Sequence, residues 1–61
     1  MTHEKVILAV VTTNAQKVAG GAPIFTCETK EEMERIAANL EAILDGIAHE
    51  LSEQLFIIVK H

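Results

Sequence analysis

The sequence predicts an α+β fold: one helix packed on a mainly antiparallel three- or four-stranded sheet, in the order β-β-α-(β)-β. Three observations predict it. Leu55-Phe56-Ile57-Ile58-Val59 is an unbroken apolar run with three β-branched residues, as a strand buried on both faces requires. Val6–Val11 is a second run of the same kind. Between them, Met33, Ile36, Ala37, Leu40, Ile43 and Leu44 recur at three- and four-residue spacing, the stripe of an amphipathic helix.

The first strand is expected over Lys5–Thr13, ended by the turn-prone run Thr12-Thr13-Asn14. A loop over residues 15–22 follows, in which Gly20-Gly21 permits positive φ or close backbone approach. Pro23 has fixed φ and no N–H, which suits the first residue of an edge strand. Ile24–Glu28 is then a short strand, with Phe25 and Cys27 on its core side. Thr29 and Glu32 have the spacing of a capping box, and Glu31, Glu32 and Glu34 place negative charge on the first turn of the helix dipole. Arg35, Asn39 and Glu41 fall on the solvent side, with Glu31 and Arg35 spaced for a weak surface pair.

Asp45-Gly46 predicts the helix end, with Gly46 in the left-handed conformation. Ile47–Leu51 then becomes a strand, Ser52-Glu53-Gln54 a turn, and Leu55–Lys60 the returning strand. Ile47 and Leu51 also continue the helical stripe, so a helix running to Leu51 is the alternative. Such a helix would reach roughly 35 Å at 1.5 Å per residue and overhang its sheet. The first and last strands are the most apolar and belong in the centre.

Residues 1–61 allow a single domain. A chain this short buries only about 60% of its unfolded surface, so it needs a disulfide, a metal or a partner. Cys27 is the single cysteine, which excludes an internal disulfide. One helix covers one sheet face. The other face, carrying alternate residues of Val6–Val11 and Leu55–Val59, stays apolar and marks an interaction surface.

Nine acidic and five basic side chains give a net charge of −4, which argues against binding phosphate backbones. Phe25 and Phe56 are the only aromatic residues, too few for base stacking. Val6–Val11 is too short to span a bilayer, and residues 2–5 lack the clear positive charge of a signal n-region. The expectation is a soluble protein with no direct membrane insertion and no nucleic-acid partner.

Catalytic and metal chemistry find little support. His3, His49 and His61 have no zinc-ligand spacing. Glu31, Glu32, Glu34 and Glu41 read as a solvated helix face. Gly20-Gly21 lacks both phosphate-loop fingerprints, and Lys17 is the one cation near it. Cys27 reads as a small buried hydrophobe. In length and element order the chain is similar to the small tautomerases that use an N-terminal proline as base. Here Thr2 follows Met1 and the single proline is Pro23, so the catalytic residue is missing. No enzyme activity and no cofactor are expected.

Four pieces carry a more specific likeness. They are residues 9–14 (AVVTTN), residues 20–25 (GGAPIF), residues 40–46 (LEAILDG) and residues 57–61 (IIVKH). In these the chain resembles the small capping subunits for YIEGIA membrane proteins of endospore-forming bacteria. The resemblance covers nearly the whole chain. It implies a non-enzymatic accessory subunit that docks onto a multi-span membrane protein in sporulating cells, lying in the cytoplasm or peripherally at a membrane through that partner. It brings no catalytic residue. Gly20, Gly21, Ala22, Pro23, Lys60 and His61 are then the candidates for partner binding. The excess apolar surface also predicts a homo-oligomer, and the alternative function is a small homodimeric regulatory or ligand-binding domain without catalytic activity.

Overall fold

The structure is a computed structural model that describes residues 6–60. The expected strand start at Lys5, and His3 and His61, lie outside them. The elements are β1 (Ile7–Thr12), a single 3-10 turn (Ala15–Lys17), β2 (Ile24–Thr26), α1 (Lys30–Leu44), β3 (Gly46–Ser52) and β4 (Leu55–Lys60). They build a four-stranded sheet in the order β2-β1-β4-β3, with the helix across one face. The two most apolar strands, β1 and β4, are central, as expected.

The α+β class holds, but the sheet is mixed. β4 pairs antiparallel with β1 and β3, whereas β2 runs parallel to β1. The cause lies in the connection. Residues 13–23 are long enough to carry the chain back to the start of the sheet, which a tight hairpin cannot do. β2 is also shorter than the run Ile24–Glu28 expected, because Cys27–Thr29 turn into the helix.

The helix begins and ends where the sequence marks it. Thr29 caps it, its hydroxyl accepting from the Glu32 N–H at 3.1 Å. The return contact of the capping box is displaced by one residue: Glu32 Oε1 accepts from the Glu28 N–H at 2.8 Å. At the far end the left-handed residue is Asp45, at φ 56° and ψ 47°, one position earlier than expected. Gly46 already belongs to β3. Its need for glycine is spatial: a Cβ there would lie 2.8 Å from both Ile58 Cγ2 and the Val59 carbonyl oxygen.

The core lies between α1 and the sheet. Met33, Ala37 and Leu40 of the helix meet Ala9 and Val11 of β1, Phe56 and Ile58 of β4, and Cys27. Ile36 packs at its margin, but Ile43 is 74% exposed and drops out of the predicted stripe. Phe25 is also more open than expected, because α1 packs on β1, β3 and β4 and leaves β2 at the side.

Candidate functional site

Directly opposed residues of neighbouring strands share a face, so the pairing register sorts every side chain. Val11, Phe56 and Glu50 turn toward the helix, as do Ala9, Ile58 and Ala48. The other set turns away from it. Ile24, Val10, Ile57 and His49 form one row across all four strands, and Ile7, Val59 and Ile47 form another. No described helix covers this second face.

Its polarity is one-sided. Among the described residues, the carboxylates of Glu28, Glu31, Glu32, Glu34, Glu41, Asp45 and Glu50 sit on the helix, its flanking turns or the helix side of β3, and Glu53 lies in the β3–β4 turn. Among the described strand residues, His49 is the one titratable side chain on the open face. Ile7, Ile24 and Ile47 stay between 38% and 48% exposed, an area of apolar surface without a covering layer.

The crossover loop shapes one side of this face. Its 3-10 turn is capped by Asn14, whose side chain accepts from the Gln16 N–H at 3.1 Å. Thr12 anchors the loop's start. Its hydroxyl donates to the Gln54 carbonyl and accepts from the Asn14 N–H, which satisfies a fully buried polar side chain. Residues 18–22 then stand against the sheet, with Gly20 at φ 137°. Between loop and strands lies an open groove of about 480 Å³, floored by Ile7, Val10, Ile24 and Ile57.

The structure brings some predicted residues together and separates others. Gly20, Gly21 and Ala22 line the groove. Pro23 follows them, and its carbonyl accepts from the Val10 N–H at 2.8 Å, holding the start of β2 on β1. Lys60 ends β4 opposite Gly46 and does not line the groove. Glu31 and Arg35 do not form the expected pair. The ion pair among the described residues joins Lys30 to Glu50 at 2.9 Å, and this contact raises the Lys30 pKa.

Cys27 is buried in the core. Burial pushes its thiol up, the nearby Glu32 carboxylate adds to this, and Arg35 opposes it. A thiol shifted in that direction keeps its proton at neutral pH and is a poor nucleophile. No group of three or more metal-ligating side chains occurs among the described residues. No described helix is long and apolar enough to cross a membrane.

Residues 4–61 match the family described as the capping complex subunit for YIEGIA. The chain belongs to this YIEGIA capping-subunit family. It is also 61% identical over 57 residues to the uncharacterised protein YpzH of Bacillus subtilis, an alignment that covers 93% of this chain and 89% of YpzH. No solved structure matches it. The family description makes the chain a subunit of a complex, with protein partners, and accords with a non-catalytic role.

Sequence reasoning missed three contributors. Ile47 and His49 complete the open face from β3, and their alternation with Ala48 and Glu50 was the available signal. Glu41, assigned to the solvent side, instead reaches the edge of β3, where its Oε2 accepts from the Ala48 N–H at 2.7 Å. No local pattern announces that contact, because it depends on where β3 lies under the helix.

Proposed function

We propose that this chain is a non-enzymatic accessory subunit that caps a multi-span YIEGIA membrane protein in sporulating cells, docking through the open sheet face. The family description, a capping complex subunit for YIEGIA, supports the capping role and is the reason for naming this partner. The observation that carries the reading is the segregation of charge. All the described acidic residues except Glu53, which sits in the β3–β4 turn, belong to the helix layer, while the opposite layer presents isoleucine and valine around a groove walled by residues 18–22. A surface of that kind gains free energy when another protein removes it from water. Gly20, Gly21, Ala22 and Pro23 take part as the groove wall and its hinge onto β2, and Lys60 acts at the far end of β4, together with His61, which follows it in sequence. In this role the chain lies at the membrane through its partner.

The test is co-expression with a YIEGIA membrane protein, solubilisation in detergent and affinity purification of the small chain. Ile47→Asp places a charge on the open face at an exposed position, so the fold survives it. The expected result is co-purification with the wild-type chain and a loss of about tenfold or more with the variant, as an unpaired carboxylate enters a dry interface. Undiminished capture by Ile47→Asp would overturn docking through this face. Light scattering of the chain alone reads the remaining possibility, in which two copies pack their open faces together. A stable dimer would show that self-assembly competes for the same surface.

A further inference from the structure

The sheet ends in two edges of unlike chemistry. At β3, the Ala48 N–H points away from β4 and is taken by the Glu41 carboxylate at 2.7 Å. The Lys30–Glu50 ion pair lies along the same edge. Charged side chains placed so are a recognised way of closing an edge to further pairing.

At β2 the edge is open. β1 pairs with it through the Pro23 carbonyl and the Cys27 N–H, and the parallel register gives β1 both backbone groups of Phe25. The N–H and C=O groups of Ile24 and Thr26 therefore point outward. Among the described residues none of them has a partner. The side chains here are open on both faces as well: Ile24 is 38% exposed on the open face and Phe25 40% exposed on the helix side. β2 itself carries no charged residue, and the absent N–H of Pro23 would face β1, so it removes nothing from the outer edge.

We propose that the β2 edge is the docking seam, and that its occupant is an extended segment of the capped protein, laid beside β2 as an additional strand. The proposal rests on the docking role argued above and names its mode. The occupant follows from length. β2 has 3 residues, and two such strands paired with each other cover far less than the roughly 1,200 Å² of a stable interface. A longer partner strand uses the same backbone groups and continues beyond them. Its alternate side chains reach Ile24 on one face and Phe25 on the other, so apolar residues on both faces are its chemistry.

The experiment uses the whole chain in complex with a YIEGIA membrane protein in detergent. Amide hydrogen exchange is followed at Ile24, Thr26 and Glu50, with and without the partner. Slowing of about tenfold or more at Ile24 and Thr26, with Glu50 unchanged, is the expected result. A second arm uses Thr26→Pro, which deletes an outward donor that the chain's own ladder does not use. That variant should keep its circular dichroism and lose about tenfold in capture. A complex that forms while Ile24 and Thr26 exchange as in the free chain overturns the seam and leaves docking through the sheet face standing. Protection of both amides in the chain alone would make a second copy the occupant and overturn the proposal equally. A wild-type chain that captures no YIEGIA protein overturns both readings.

Discussion

Ile57 and Ile58 are neighbours of the same chemistry, and the pleat of β4 sends them to opposite environments. Ile58 is fully buried with Val11, Phe56, Met33 and Leu40 under the helix. Ile57 is half-buried, in a row with Val10, His49 and Ile24, at the floor of an open groove. One face therefore carries most of the packing, and the other keeps apolar surface in reserve. In so small a sheet this division is instructive. The same five-residue apolar run serves both faces because its side chains alternate, so stability and the proposed docking can be altered separately by moving one position along the strand.

Substitutions that respect or violate that division test it. The largest effect is expected from Ile58→Asp. It puts an unpaired carboxylate in the covered core and should unfold the chain, at a cost of about 4 kcal/mol or more, read as loss of the circular dichroism signal. Gly46→Val comes next. Gly46 lies on the covered side, where its added atoms would meet Ile58 and the Val59 carbonyl oxygen, and backbone cannot yield as a side-chain tip can. A loss of about 2–3 kcal/mol in a denaturant melt is expected. Ile57→Asp should cost about 1 kcal/mol, keep the fold and abolish partner capture. If Ile57→Asp unfolds the chain as Ile58→Asp does, the two faces are not independent.

Much of this was legible in the sequence, and the physical reason is locality. The helix stripe, its Thr29 cap and its stop before β3 depend on residues within a few positions of each other. The placement of β1 and β4 in the centre, and the apolar open face, follow from runs too hydrophobic for an edge. What the sequence could not supply was relative position. The parallel pairing of β2 depends on the path of residues 13–23, not on Ile24–Thr26 themselves. The exposure of Ile43 and Phe25 follows from the helix lying over β1, β3 and β4, and apolar spacing alone does not set that offset. Gly46 was singled out correctly for the wrong cause. Asp45 takes the left-handed backbone, and close approach to β4 is what requires glycine.

The smallest expected effect again separates covered from open groups. Cys27 belongs to the covered core, and burial raises its pKa. The folded state thus holds the thiol proton to higher pH than the unfolded state, whose thiol titrates near about 8.5. Stability then falls as pH rises through that unfolded value, because the unfolded chain gains from losing a proton that the folded chain retains. Lys30 is an exposed cation raised chiefly by its hydrogen bond to Glu50, so its contribution is complete below about pH 10.4 and fades as pH climbs through its raised value. The two windows do not coincide. Thermal melts of Cys27→Ala should be flatter than wild type between about pH 8 and 10, with the later Lys30 loss retained. Glu50→Gln should weaken the later loss and leave the earlier slope in place. An unchanged early slope in Cys27→Ala would mean that the thiol meets water in solution, and that the core beneath the start of the helix is less closed than its packing shows.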